Sequence, residues 1–354
     1  MISTDAMCYN LHMASTNTPP DLSHVAVFTD LHYGLRNNSR EHNIACEDFL
    51  KWFIEQAATR NIKTCFFLGD YHHVRSAINI STLNYSVAGL RMLNAAFDNV
   101  YFIIGNHDLY FRDKLEIHSI PYITEFPNIH LIDRITTVAD HTFVPWLVND
   151  QWKEMQHIKT PYVWGHFELP KFKMNAMVEM PDHGTLNSQH FAKQKAVYSG
   201  HFHKRQQLGN IQYVGNAFPH DFSDAWDDAR GMMFWQPGVD PEFKTWPGAP
   251  RYRVLPVSQL LLNPQLHLQP QNLVRVQMDT DSSFEDQQFV RDLLEICYDF
   301  RDLTFQTQSV DNQELLDDAQ VDFESVDTIV ISHLNSIESK TISNKTLVDL
   351  YKSL

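Results

Sequence analysis

The chain has 354 residues, 43% of them hydrophobic, and carries 28 Lys and Arg against 43 Asp and Glu, a formal net charge of −15. That length allows one large core with a small extra domain, and the apolar content is ordinary for a soluble globular protein. No apolar run approaches the roughly 18 residues of a membrane-spanning helix, and the net acidity excludes a broad basic footprint able to grip nucleic acid unaided.

Residues 1–23 are rich in Ser, Thr, Asn and Pro. With neither a basic n-region nor an apolar h-region, they are expected to be a disordered tail and not a signal peptide. Val25–Thr29 is an apolar run of strand type, followed by Cys46, Phe49, Leu50, Phe53, Ile54 and Ala57 at helical spacing. Lys63–Leu68 is a second strand, and Leu83, Val87, Leu90, Asn94 and Phe97 mark a second helical face. Val100–Ile104 is a third strand. This βαβαβ order predicts parallel strands with helices packed outside.

Beyond Asp108 the pattern changes to short strands at Ile129–Ile132, Thr142–Val144, Tyr162–Trp164, Ala196–Tyr198, Ile211–Val214 and Met232–Trp235. A second sheet packed on the first would accommodate them. Glu168–Gln189 has no clear period and reads as an irregular excursion near the strand ends. Prolines at 237, 241, 247, 250, 264 and 270 place a domain boundary, set at 255/256. A βαβ unit follows in 256–310: strand Leu273–Met278, a helix with a Ser282/Glu285 capping box and a face of Phe289, Val290, Leu293, Leu294 and Cys297, then strand Leu303–Thr307. Residues 311–328 read as an acidic linker. In 329–354, Val330, Leu334 and Ile337, then Leu347, Tyr351 and Leu354, predict two short amphipathic helices that dock on a partner or fold back on the preceding domain.

The acidity is local. Between Asp279 and Thr328 there are fifteen Asp and Glu against two Arg, which leaves residues 1–278 near −3. Cys8, Cys46, Cys65 and Cys297 show no paired spacing. Cys46 and Cys65 fall on apolar faces as free thiols, which suits a reducing cytoplasm.

Five of the strand ends carry metal-type side chains: Asp30 and His32, Asp70, Asn106, His166, then His201 and His203. Imidazole and carboxylate together suit borderline divalent metals such as manganese, iron and zinc. About seven ligands serve two ions if one carboxylate bridges, and Asp70, alone on its turn, is the natural bridge. Asp30, His32 and His203 could hold one ion, and Asn106, His166 and His201 the other. Such a pair can hold a hydroxide and clamp both sides of a phosphoryl displacement. A lone Gly-His or Asp-x-His would be structural more often than not. The conjunction in order is what makes the metal reading specific.

These residues closely resemble the calcineurin-like metallophosphoesterases. The family signature reads here as Asp30-Leu31-His32, Gly69-Asp70, Gly105-Asn106-His107-Asp108, Gly165-His166 and Gly200-His201-Phe202-His203. The details at Gly69–Arg75, Gly165–Leu169 and Tyr198–His203 look most like the SbcD-type nuclease subunits, especially the recombination endonuclease subunits of tailed phages. The resemblance spans roughly Val25 to Arg230. It implies an α/β fold: a layered α/β/β/α metallophosphoesterase sandwich over 24–255, a small α+β accessory domain that caps DNA, and C-terminal helices. It also implies two divalent ions, manganese by preference, and a DNA nuclease in which a metal-bridging hydroxide attacks phosphorus. The implied partners are DNA, an SbcC-type coiled-coil ATPase and a second copy of the chain, held through the helices after Asp30 and Asp70. No membrane is implied, and the location is cytoplasmic, in the host if the source is viral.

The family uses the histidine at His107 to stabilise the transition state or protonate the leaving oxygen. Asp108 would orient and charge that ring, or else cap a turn. His73, three residues past Asp70, matches a histidine that handles substrate in SbcD-type nucleases. Arg75, Lys204 and Arg205 are candidates for phosphate contacts, although such small charge clusters are usually solvated faces. Gly215-Asn216-Ala217 departs from the Gly-Ser/Thr-Pro turn of many relatives. Two other readings stay open: a phosphoesterase for a small substrate (a cyclic nucleotide, a nucleotide-sugar diphosphate or a phosphoprotein), and a scaffold that keeps the fold without catalysis.

Overall fold

The structure is a computed structural model describing residues 20–174, 178–278, 283–306, 343–345 and 348. The chain divides into two compact units, 1–305 and 306–354. Residues 1–19 of the expected N-terminal tail, the acidic linker and nearly all of the helical docking segment lie outside the described residues. The last four tail residues are described and anchored, with Leu22 buried in the core and Asp21 O accepting from Thr64 Oγ1 (2.8 Å).

The first sheet runs β12 (Glu242–Thr245), β11 (Gly231–Trp235), β1 (Val25–Phe28), β2 (Thr64–Phe67), β3 (Asn99–Ile103) and β4 (Ile129–Ile132). Strands β1 to β4 are parallel neighbours, while β11 and β12 join antiparallel. The second sheet runs β5 (Thr136–Val138), β6 (His141–Val144), β7 (Tyr162–His166), β8 (Ala196–Gly200), β10 (Ile211–Tyr213) and β9 (Gln206–Leu208). Two strands assigned from sequence to the second sheet, Ile129–Ile132 and Met232–Trp235, therefore belong to the first. Their apolar runs are equally compatible with either, and only the pairing register decides.

Alternation along each central strand sorts its side chains between two cores. Ala26, Phe28, Cys65, Phe67, Val100 and Phe102 face the helices Arg40–Ala58 and Ile80–Ala96. Val25, Val27, Phe66, Tyr101 and Ile103 face the second sheet, meeting Phe143, Trp164 and Tyr198. The ring of Phe66 lies edge-on to Tyr101, Phe143 and Trp164, with centroids 4.8–5.5 Å away. Both helices begin as their sequences suggest, with Ser39 accepting from His42 N–H and Asn79 from Ser81 N–H. The buried stripe of the second helix is Thr82, Ser86, Gly89, Leu90 and Leu93. Leu83 and Val87, expected on that stripe, are only half-buried. The small residues win because the two helices pack closely there: a Cβ at Gly89 would come within 2.9 Å of Leu50.

Among the described residues no α-helix covers the far side of the second sheet, where the α/β/β/α expectation places the outer helix layer. That side is closed, among the same residues, by two 3₁₀ turns, Asn149–His157 and Ser188–Phe191, and by the irregular excursion, whose Leu169, Phe172, Met180 and Leu186 are buried. A third sheet runs β13 (Arg251–Pro256), β14 (Asn272–Gln277) and β15 (Asp302–Gln306), with β13 and β14 parallel. It begins at Arg251, inside the stretch assigned from sequence to the catalytic domain. The helix after β14 spans Phe284–Cys297 and is capped by Ser283 with Asp286, one residue later than the expected box. Of its expected apolar face only Leu294 is fully buried, while Phe289 and Leu293 stand exposed.

The inter-sheet core sets the strand ends in register, and Phe66 is at its centre. Phe66→Ala is expected to cost about 3–5 kcal/mol. Urea denaturation should show a lowered midpoint at unchanged m. A loss below about 1 kcal/mol would contradict this packing.

Candidate metal centre

Every candidate ligand sits at the carboxyl end of a strand or within four residues past it. Asp30 and His32 follow β1, Asp70 follows β2, Asn106 follows β3, His166 ends β7, and His201 and His203 follow β8. Four of them take left-handed backbone: Asp30 (φ 52), His32 (φ 51), Asp70 (φ 60) and His201 (φ 84). That conformation is uncommon for non-glycine residues and persists only where surrounding structure enforces it. Here the backbone is locked between loops: Asp30 N–H donates to Gly69 O (2.9 Å), and His32 N–H to Asp70 O (3.1 Å).

The glycines beside the candidate ligands allow close approach of the loops. A Cβ at Gly105 would overlap Asp70 Oδ1 and the Asp70 nitrogen, and one at Gly200 would overlap Thr29 Oγ1. Two loops pass so near Asp70 and Asp30 that no side chain fits between.

The seven side chains converge. His32 Nε2 lies 3.5 Å from Asp70 Oδ2 and 3.8 Å from Asp30 Oδ1. His203 Nε2 lies 3.3 Å from His32 Nε2 and 4.0 Å from Asp30 Oδ1. On the other side, His166 Nε2 is 3.3 Å from the same Asp70 Oδ2 and 2.9 Å from Asn106 Oδ1, which is 3.0 Å from His201 Nδ1. Asp70 is thus common to one group with Asp30 and His32 and to another with His166 and His201. It occupies the place a bridging carboxylate would need.

The donor set fits two divalent cations. Imidazole nitrogens and carboxylate oxygens turn toward shared points, and other atoms of the same side chains are held by the protein. His166 Nδ1 is 2.7 Å from Leu68 O, and Thr29 Oγ1 donates to Asp30 Oδ2 (2.5 Å). Such outer partners fix a ligand's tautomer and direction. Burial works to raise Asp70, but the His166 and His107 imidazoles hold its carboxyl well below the usual range. Burial likewise opposes charge on His166, yet Asp70 pushes it up to about 9. The charge on His166 stands where a cation would otherwise balance Asp70. Burial holds His32 far below the usual imidazole value, leaving a neutral ring with a lone pair to give.

His107 and His73 stack at the edge of this cluster, rings 5.2 Å apart and 15° from parallel. His107 Nδ1 lies 2.7 Å from the His73 carbonyl, and its backbone N–H donates to Asp70 Oδ1 (2.9 Å). The expectation that Asp108 orients and charges the His107 ring is corrected. Its buried carboxylate accepts from the backbone N–H groups of Gly105, Asp70, Tyr71 and His72 at 2.9–3.1 Å. It holds the turn, and the His73 carbonyl orients the ring.

Arg75 is half-buried, and its Nη1 is buried with no hydrogen-bond partner among the described residues. Lys204 reaches Asp227 at 3.7 Å. Arg205 is turned inward: its Nε donates to Val214 O, its guanidinium lies 4.1 Å over the Phe243 ring, and its Nη2 is buried without a hydrogen-bond partner among the described residues. The apolar neighbours of the turn drew it inward.

Several residues near the site carried no sequence signal of their own. Glu168 Oε1 lies 3.5 Å from His201 Nε2, facing away from Asn106. Arg230 is buried, paired with Asp224 (2.7 Å), and donates to the His203 carbonyl, so it pins the last ligand turn. His220, which belongs to none of the sequence motifs, is buried against His32 and His203, with ring centroids at 5.4 and 5.0 Å. Only its distance in space from the ligands identifies it.

The family model described as calcineurin-like phosphoesterase matches residues 23–205. Exonuclease subunit 1 of Enterobacteria phage T4 is 29% identical over 222 residues, covering 60% of this chain, and the chain spans 64% of that relative's length. Among solved structures, a dimetal phosphatase from Danio rerio is 12% identical with a TM-score of 0.39, covering 63% of this chain and 96% of that one. The nuclease MPE of Pseudomonas putida is 17% identical with a TM-score of 0.32, covering 62% and 87%.

The two roles weighed for Asp108 separate by experiment. Asp108→Ala would strand four buried N–H groups, each worth about 1–3 kcal/mol, so a large drop in melting temperature is expected. His107→Ala should leave melting nearly unchanged. Equal melting of both variants would rule out the turn-holding role.

Proposed function

The chain belongs to the calcineurin-like phosphoesterase family, and from that premise we propose that it is the DNA nuclease subunit of an SbcCD-like recombination and repair complex. The observation that carries the hydrolytic part is Asp70 Oδ2, 3.5 Å from His32 Nε2 and 3.3 Å from His166 Nε2. One carboxylate at the junction of two histidine groups is the arrangement that two-ion phosphodiester hydrolysis needs. The nucleic-acid part rests on the likeness to Exonuclease subunit 1 of phage T4.

When bound, two divalent ions, for which we propose manganese, would polarise the phosphoryl group and activate water. Asp30, His32 and His203 would hold one and Asn106, His166 and His201 the other, with Asp70 between. The chain's own groups do the rest. His107 presents its Nδ1 to the His73 carbonyl, which accepts, so that nitrogen carries the proton and Nε2 is left for the substrate side. A protonated imidazole there would offset charge on the phosphate and give a proton to the leaving oxygen. His73, stacked on His107, would limit the ring's motion and border the substrate. Arg75, with a guanidinium nitrogen lacking a partner among the described residues, would take a phosphate oxygen.

A coiled-coil ATPase of the SbcC type would supply DNA affinity that this acidic chain lacks, and a second copy would pack through the helices Arg40–Ala58 and Ile80–Ala96. The exposed Phe284, Phe289, Leu293 and Ile296 of the helix Phe284–Cys297 support an assembled form, because apolar side chains this concentrated usually meet a partner.

A labelled linear duplex incubated with manganese should be hydrolysed, and a chelator should stop it. Asp70→Asn is expected to lower the rate at least about 10³-fold, and His107→Ala by about 10²–10⁴-fold, the span typical of a general acid. Hydrolysis of a small generic phosphodiester alone, with the duplex untouched even when a coiled-coil ATPase is added, would replace the nuclease reading with a small-substrate one.

A further inference from the structure

His220 sits on the loop after β10, outside every motif that supplies a ligand. Its backbone is fixed on both sides: its N–H donates to Asp224 Oδ2 (2.9 Å), and its carbonyl accepts from the Tyr252 hydroxyl (2.7 Å). Its side chain is 1% exposed, yet neither ring nitrogen has a hydrogen-bond partner among the described residues. A buried polar atom without a partner costs about 1–3 kcal/mol, and this ring has two. Such an orphan calls for a ligand that is not part of the chain.

The surroundings limit what that ligand is. The ring lies edge-on to His32, His203 and His42, with Phe218 closing the fourth side at 5.3 Å. His42 is already engaged, its Nε2 3.0 Å from Leu31 O. Among the described residues, no carboxylate is paired with His220. What does approach it are the ring nitrogens of His32 and His203, and one nitrogen from each of the three rings falls within 4.8 Å of the others. Three imidazole lone pairs in a buried pocket suit a divalent transition metal and little else.

We propose that His220 is an additional protein ligand to the ion held by Asp30, His32 and His203. The inference rests on the two-ion reading of the site and deepens it. That ion would have five protein donors with Asp70 included. The ion on the Asn106, His166 and His201 side would have four. For a metal that prefers six positions, the first site is then nearly closed and the second keeps more room. The two sites should therefore differ in affinity, and substrate oxygen should enter mainly on the His166 side.

The test is metal binding by the full chain, with manganese(II) chloride as the only probe, followed by calorimetry and equilibrium dialysis. Wild type should take up two ions per chain in two affinity classes. His220→Ala should weaken the tighter class by about 10- to 100-fold, the loss typical when support of a metal site is removed, and leave the other class unchanged. His220→Gln keeps most of the volume, offers one amide oxygen, and should fall between. Melting temperature with and without manganese keeps the result readable if His220→Ala folds poorly, because His220→Gln should lose part of the metal-induced rise. Wild-type affinity for both ions in both variants would overturn the proposal. So would three ions in wild type falling to two, which would make the three histidines a separate site. Wild type that binds no ion would sink the two-ion reading itself, whereas two ions bound equally in all three proteins would sink only the role of His220.

Discussion

The carboxylate of Asp108 is the constraint on which the rest of the site depends. It accepts four backbone N–H groups, three of them from consecutive residues Asp70, Tyr71 and His72 and one from Gly105. Those donors come from the exits of β2 and β3, so a single side chain ties two strand ends together. Asp70 and Asn106 are carried on the two tied loops, and their separation is set by this knot and not by their own contacts. The absence of a side chain at Gly105 completes it, because only a bare Cα lets the second loop pass against Asp70.

A knot of this kind explains how four ligand residues hold left-handed backbone. Each such residue costs about 1–3 kcal/mol, which an isolated turn would relieve by relaxing. Here Asp30 and His32 are bonded to the carbonyls of Gly69 and Asp70, and those lie on the loop that Asp108 fixes. The strain is carried by the inter-sheet core beneath, where Phe66, Tyr101 and Trp164 set the height of the strand ends. Fold stability and ligand geometry are thus one problem. The core places the strand ends, the loops are locked to one another, and the side chains are left with few rotamers from which to meet.

The clustering of the candidate ligands was legible in the sequence because it is written in local motifs: an apolar run, a turn, and a donor at fixed distance. The parallel order of β1, β2 and β3 was legible for the same reason, through helices of clear period between them. What escaped is what depends on pairing between distant segments. Ile129–Ile132 and Gly231–Trp235 are apolar strands that fit either sheet, and only register puts them in the first. The start of the third sheet at Arg251 was hidden because a strand beside a proline reads as linker. For Asp108 the sequence left two roles open; adjacency to His107 suggested a contact with that ring, whereas its carboxylate turns to the backbone and takes the turn-capping role. Arg205 illustrates the opposite error. A cation beside a ligand looks solvent-facing until the Phe243 ring appears beneath it.

The same geometry bears on how an acidic chain can meet a phosphodiester. Around the Asp70 junction the described structure gathers His32, His73, His107, His166, His201, His203 and His220, but few permanent cations. Lys204 is turned to Asp227, Arg205 is turned inward, and Arg230 is committed to Asp224. Arg75 and Arg205 each keep a buried guanidinium nitrogen without a hydrogen-bond partner among the described residues, and of the two it is Arg205 whose guanidinium lies over an aromatic ring. Burial keeps His32 and His73 low, so these rings add little charge near neutral pH. Under the proposed function the attraction for a phosphate would come from divalent ions, with Arg75 as the candidate to direct it. Such a site holds a phosphate strongly only when loaded, and grips a long polyanion weakly at any distance. That division of labour, chemistry within the site and capture outside it, is the physical reason to look for the second half of the binding surface on another chain.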